Sequence, residues 1–233
     1  MKAVVYAGYG VMPALTEVAD PACPADGVVV AVGATGVCRS DWHAWQGHDP
    51  VVLPHIGGHE LAGVVAATGP SVTRWRAGDR VTVPFACGCG RCEYCLAGEA
   101  QVCPWQTQPG FTGPGSFAEL VSIDALGSPA TAVNSVRCLR RRGRHVQVGL
   151  LLGPASAPPL PMDLVTGREL EIYGSHGMAA RDYPAMMAMV GDGTLRPGTA
   201  IGQVIGLEDI GQALAAMNGP GSAVGMTVAR LAL

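Results

Sequence analysis

Four cysteines within fifteen residues constrain this chain more than any other feature. Cys89, Cys92, Cys95 and Cys103 follow the spacing C-x2-C-x2-C-x7-C. Spacers this short let one chain segment wrap a single ion. Thiolate sulfur is the ligand of closed, tetrahedral zinc sites. Such a site folds a loop and leaves no open position for chemistry. The array therefore predicts a zinc-stapled lobe over about residues 85–105, and by itself it predicts no reaction.

The thiols need a compartment that keeps them reduced. The chain carries eight cysteines, and Met1–Tyr6 lacks a long apolar run of the kind that directs export. A reducing cytoplasm is the expectation, where clustered thiols bind metal rather than pair as disulfides. Apolar residues make up 48% of the 233 and charged residues 14%, so a sizeable core can form. No run approaches eighteen apolar residues, which excludes a membrane-spanning helix from the expectation. The net charge of −3 gives no electrostatic reason to bind nucleic acid. Arg137, Arg140, Arg141, Arg142 and Arg144 instead fall at the end of an expected helix, where cations complement the dipole.

The first half reads as short β-branched runs between turn residues. These are Val28–Val32, Leu61–Val65, Asp79–Val83 and Phe117–Val121. From Asp124 onward helices and strands alternate, the pattern of a parallel sheet. Ser128 caps an expected helix that stops near Gly143, His145–Leu150 and Leu170–Tyr173 read as strands, and Pro184–Val190 as a helix. Met186, Met187 and Met189 are expected to pack that helix. Ile210, Leu214 and Met217 form a last helical stripe before the strand Met226–Ala229, and Pro154–Pro161 is a loop. The fold class is α/β, a β-barrel followed by a parallel sheet.

A second constellation lies upstream of the cysteine array. Gly36-Val37-Cys38-Arg39-Ser40-Asp41-Trp42-His43 precedes Gly58-His59-Glu60-Leu61-Ala62-Gly63 by about twenty residues. One thiolate and one imidazole are the ligand types of an open, catalytic zinc. Such a zinc polarises an alcohol or carbonyl oxygen. Asp41 is suited to accept the far ring N–H of His59, Ser40 to pass an alcohol proton outward, and His43 to relay it. Glu60 is a nearby carboxylate ligand or ion-pair partner. His48 and His55 read as hydrogen-bonding loop residues, Cys87 as a neighbour outside the four-ligand set, and Cys23 and Cys138 as loop and helix-face residues.

Together, the two motifs resemble those of the zinc-dependent alcohol dehydrogenases of the medium-chain dehydrogenase/reductase family. The resemblance continues in Gly63–Val72, Trp75–Val81, Gly115–Glu119 and Ile205–Asp209. It implies a GroES-like β-barrel catalytic domain from residues 1–124 and 195–233, with residues 125–194 a partial, second-half Rossmann-like parallel sheet. It implies a catalytic zinc on Cys38, His59 and Glu60, a structural zinc on Cys89, Cys92, Cys95 and Cys103, and Trp42 and Trp45 along a substrate pocket. It also implies NAD or NADP as cofactor, a small alcohol, aldehyde or ketone as substrate, and a homo-oligomer. Val148, Gly149, Leu150 and Ser175 match segments that face the nicotinamide in that family.

A dinucleotide site needs a strand, a glycine-rich turn opening a helix, and an acid about twenty residues on. Gly113–Ala118 fits G-x-G-x-x-A but precedes a strand, and Gly219-Pro220-Gly221 follows a helix. In the family roughly a hundred residues of first-half Rossmann fold separate counterparts of Ala125 and Leu126, which here are adjacent. An omitted stretch under continuous numbering, an engineered deletion and a naturally shortened relative all fit. The absent piece would carry the glycine-rich turn and the third protein ligand of the catalytic zinc. A zinc-binding, non-catalytic remnant or deletion scaffold is therefore the alternative to the dehydrogenase, and zinc-hydroxide hydrolysis a weaker third reading.

Overall fold

The structure, a computed structural model, describes residues 1–123, 144–147, 162–167, 169, 171–174, 177–219 and 224–232. The chain divides into two compact units, Met1–Ser128 with Met178–Leu233, and Pro129–Gly177.

The larger unit is built from strands β1 (Lys2–Tyr6), β2 (Ala14–Glu17), β3 (Val28–Val37), β4 (His55–Ile56), β5 (Leu61–Thr68), β6 (Arg80–Val83) and β7 (Leu120–Ile123). It also holds helices α1 (Arg39–Gln46) and α2 (Glu93–Leu96). One sheet has the order β2-β1-β4, with Val5 opposite Ile56 and Tyr6 opposite His55. The ten-residue β3 is the spine of the other. It pairs antiparallel with β5, Thr35 opposite Leu61, and with β7, Val30 opposite Val121.

The segment Phe117–Glu119 stitches the two sheets together. Val4 N donates to Phe117 O at 2.7 Å and Glu119 N to Lys2 O at 3.0 Å, while Val32 N donates to Glu119 O at 2.9 Å. The sheets thus close on one another as a barrel does, and the apolar faces turn inward. Val4, Tyr6, Val37, Trp45 and Phe117 form the main core, and Val30, Val32, Leu61 and Val121 a second cluster.

In the smaller unit, β8 (Arg144–Gln147) pairs parallel with β9 (Glu171–Gly174), and α3 (Met162–Gly167) lies between them in sequence. The parallel pairing is what the alternating sequence pattern predicts, whereas α3 falls in a stretch where no helix was expected. The helix expected from Ser128, the join at Ala125–Leu126, the Pro154–Pro161 loop, Arg137, Cys138 and Arg140–Arg142 lie outside the described residues.

The chain then returns to the larger unit through α4 (Tyr183–Gly191), β10 (Ile201–Ile205), α5 (Ile210–Ala216) and β11 (Met226–Arg230). β11 pairs antiparallel with β3, Val228 opposite Gly36, and parallel with β10. Ile210 and Leu214, one helical turn apart, drop into the main core. Met187 and Met189 stand exposed on α4, where the sequence pattern had pointed to packing. Among the described residues, no helix is long and apolar enough to cross a membrane.

Leu214 is fully buried and Val204 about half exposed. Leu214→Ala is expected to destabilise the larger unit by about 2–5 kcal/mol, and Val204→Ala by under about 0.5 kcal/mol. Urea unfolding followed by tryptophan fluorescence checks this, since all four tryptophans (Trp42, Trp45, Trp75 and Trp105) lie in that unit.

Candidate functional site

The end of β3 and the start of β5 are hydrogen-bonded neighbours, with Gly36 N donating to Glu60 O at 2.9 Å. This pairing brings Cys38 and His59 to one end of the sheet although twenty residues separate them. Cys38 is the N-cap of α1. Its Sγ accepts from Ser40 N at 3.3 Å, and its own N donates to Asp41 Oδ2 at 2.9 Å. The reciprocal pair is a capping box in which a thiol replaces the usual hydroxyl.

Asp41 is 1% exposed and also reaches the opposite loop. Its Oδ1 accepts from Gly58 N at 3.1 Å and faces His59 Nδ1 at 3.1 Å. A proton on Nδ1 satisfies the carboxylate and leaves the Nε2 lone pair free. That Nε2 lies 3.6 Å from Cys38 Sγ. A sulfur and a nitrogen bound tetrahedrally to one zinc, at about 2.3 and 2.0–2.1 Å, sit about 3.6 Å apart. Burial by itself pushes the His59 imidazole down. The Asp41 carboxylate, and then Cys38, override burial and hold it well above the usual histidine value.

Glu60 completes a cluster. Cys38, His59 and Glu60 each offer a ligand atom within 4.8 Å of the others. Glu60 Oε2 is buried without a hydrogen-bond partner, a carboxylate oxygen left for a cation. The carboxylate folds over Gly36, where an added Cβ would come within 2.1 Å of it. The donor set and the orphaned oxygen both fit zinc.

Two glycines, Gly57 and the motif residue Gly58, make the loop possible. Gly58 has φ +93°, and a Cβ there would meet Phe117 N at 2.8 Å. At Gly57 a Cβ would meet the Tyr6 hydroxyl at 2.2 Å. Tyr6 Oη is itself buried without a hydrogen-bond partner. Burial, and then the charges of Asp41 and Cys38, raise it well above the usual tyrosine value.

The other expected residues divide. Ser40 sits in the first turn of α1. His43 faces His48, with the two Nδ1 atoms 3.1 Å apart. Trp42 Nε1 donates to Asn218 Oδ1 at 2.7 Å, and the Arg39 guanidinium lies 3.9 Å over its ring. Trp45 is in the core with Nε1 donating to Val11 O at 2.6 Å, so it packs the fold instead of lining a cleft. His55 is buried with Nε2 2.8 Å from Gly110 O. Gly115 in the G-x-G-x-x-A stretch crosses the His59 loop, where a Cβ would come within 2.1 Å of Gly58 O. Its glycine serves that close crossing and not a phosphate. Val148, Gly149, Leu150 and Ser175 lie outside the described residues.

The four-cysteine array converges as its spacing predicts. The thiols of Cys89, Cys92, Cys95 and Cys103 all lie within 4.8 Å of one another, and Cys92 and Cys103 are 3.6 Å apart. Two sulfurs on one tetrahedral zinc are separated by about 3.8 Å. Backbone N–H groups, that of Arg91 foremost, draw the Cys89 thiol down to about 6. Burial first, then the neighbouring thiols, pushes Cys95 up to about 12. Thiols this close do not all ionise without a cation between them. Cys87 lies outside the set, its backbone paired with Thr107 at 2.7 and 2.8 Å. Arg181, which motif inspection does not single out, clips the lobe to the rest of the unit. It reaches Glu99 Oε1 at 2.6 Å and Ala97 O at 3.2 Å.

The profile of the alcohol dehydrogenase GroES-like domain matches residues 24–129, and that of the zinc-binding dehydrogenase domain matches residues 117–192. Each match spans less than half of the chain, and both liken it to the zinc-dependent alcohol dehydrogenases. Among similar proteins, an alcohol dehydrogenase of Geobacillus stearothermophilus is 40% identical over 122 residues, covering 51% of this chain and 36% of that protein. One from Moraxella sp. is 41% identical over 128 residues, covering 54% of this chain and 38% of that protein. The chain thus matches little more than a third of the length of these relatives. A thermostable alcohol dehydrogenase from Pyrobaculum aerophilum, solved with cobalt and zinc bound, superposes with a TM-score of 0.83 at 20% identity over 99% of each chain. The alcohol dehydrogenase of Aeropyrum pernix superposes with a TM-score of 0.81 at 17% identity, over 99% of this chain and all of the other. At these identities the superpositions establish the fold, a GroES-like barrel with a partial Rossmann-like sheet.

Asp41→Asn keeps the shape but loses the charge that orients His59, and is expected to weaken zinc at Cys38 and His59 by about 10–100-fold. Chelator competition measures it. In the native chain His59 must lose its raised proton to bind metal, so affinity at this site rises with pH across the range above about 6.5. At the thiol cluster, Cys92→Ser is expected to lower the zinc content by one ion per chain, measured by elemental analysis.

Proposed function

We propose that this chain is a zinc-dependent alcohol dehydrogenase or carbonyl reductase. The observation that carries the reading is the Cys38 thiol 3.6 Å from a His59 nitrogen whose far side is held by buried Asp41. Cys38, His59 and Glu60 hold a catalytic zinc, and Cys89, Cys92, Cys95 and Cys103 a structural one. When bound, zinc supplies Lewis-acid polarisation of the substrate oxygen, and NAD or NADP supplies the hydride acceptor or donor.

The chain's own residues set the geometry and move the proton. Asp41 keeps the His59 tautomer and ring plane in place. Ser40, two residues on from Cys38, takes the alcohol proton, and His43 passes it outward. Residues 1–124 and 195–233 form the catalytic domain, with residues 125–194 on the cofactor side. Val148, Gly149, Leu150 and Ser175 are assigned to the cofactor on sequence resemblance alone. The substrate is a small alcohol, aldehyde or ketone, and the protein works in the cytoplasm as a homo-oligomer. The clustered thiols of Cys89, Cys92, Cys95 and Cys103 suit a reducing compartment.

Alcohol oxidation with NAD and with NADP tests the proposal. Cys38→Ala is expected to lower kcat/KM by at least about 10³-fold, the equivalent of roughly 4 kcal/mol of transition-state stabilisation. Undiminished turnover in that variant removes the site from the chemistry.

A further inference from the structure

His43 and His48 belong to neither thiolate cluster, yet they present a chelating pair. Their Nδ1 atoms lie 3.1 Å apart. Two imidazole nitrogens bound to one ion at about 2.0–2.1 Å, and separated by this distance, subtend an angle of roughly 100°. That lies between the square-planar and tetrahedral values, which late first-row divalent ions adopt.

The pair is also held in place before any ion arrives. His48 N and Asp49 N both donate to His43 O, at 2.9 and 3.3 Å, so the turn after α1 fixes one histidine against the other. The Trp42 ring stands edge-on to both imidazoles, with centroids 4.9 and 5.3 Å away, and walls one side. Both histidines are half-buried, so solvent ions reach them. Burial, and then the charges of His48 and Arg39, keep the His43 imidazole below the usual histidine value. At neutral pH it therefore offers a lone pair. Without an ion the two rings share one proton between facing nitrogens. With an ion the donor ring shifts its proton to Nε2, and both Nδ1 lone pairs point at the metal.

We propose that His43 and His48 form a third metal site, bidentate through both Nδ1 atoms, for a late first-row divalent ion such as Ni²⁺, Cu²⁺ or Zn²⁺. Imidazole donors suit these ions and exclude Mg²⁺ and Ca²⁺. Occupancy takes up a nitrogen of His43 and so opposes the proton role proposed for it. That consequence rests on the proposed function, whereas the binding site does not.

The test uses the full chain with its thiolate sites already loaded with zinc, titrated calorimetrically with Ni²⁺ near neutral pH. One further Ni²⁺ per chain is expected. His48→Gln and His43→Gln are each expected to lower its affinity by at least about tenfold, with zinc content and far-ultraviolet circular dichroism unchanged. No saturable Ni²⁺ binding beyond zinc overturns the proposal, as does equal binding in the native chain and both variants. A measurement on the native chain stands apart from folding of the variants: Ni²⁺ is expected to protect His43 and His48 from diethylpyrocarbonate, and unprotected histidines overturn the site. All readouts are independent of turnover, so failure of the dehydrogenase reading and failure of this site are distinguishable.

Discussion

The buried carboxylate of Asp41 is the constraint on which the site depends. It accepts from Cys38 N, from Gly58 N and from His59 Nδ1. These three donors come from a helix cap, a loop and a ligand. A buried carboxylate is costly unless its lone pairs are used, so the site is stable only when all three elements meet. Local capping, loop closure and ligand orientation are one interaction. That is why a residue on the first turn of a helix governs an imidazole eighteen positions away.

The two clusters are built by opposite means. The four thiols lie on one short segment, and the thiolate geometry needs little beyond that segment and the Arg181 clip. The Cys38–His59–Glu60 cluster depends on long-range sheet pairing between β3 and β5 and on glycines that let backbones cross. The first is local to one segment, the second is a product of the barrel. A metal bound at the four thiols would contribute folding energy to the lobe, while the barrel preforms the other cluster.

Much of the site was legible because its chemistry is written in residue type. Cysteine spacing indicated a closed metal site, and Cys38, His59 and Asp41 were singled out as thiolate, imidazole and imidazole partner. What escaped inspection carries no chemical label. Gly57 matters through what a Cβ would strike, Tyr6 through a hydroxyl left unpartnered, and Trp45 through packing that a motif does not express. The strands of β1 and β10 were not evident either. β1 is short and closes the barrel through Phe117, and β10 is exposed along most of its length, without the alternation that marks a half-buried strand.

Residue type and local spacing alone carried the resemblance to the dehydrogenase family, the α/β alternation and the two candidate thiolate-bearing clusters, because coordination chemistry and short-range periodicity are properties of the chain itself. Only the tertiary structure decided that Asp41 serves three donors at once, that Glu60 keeps a bare oxygen beside the ligands, and that His43 and His48 face each other nitrogen to nitrogen. Each of these rests on side-chain directions set by packing between distant segments or by a turn after a helix. Side-chain direction is not encoded in spacing.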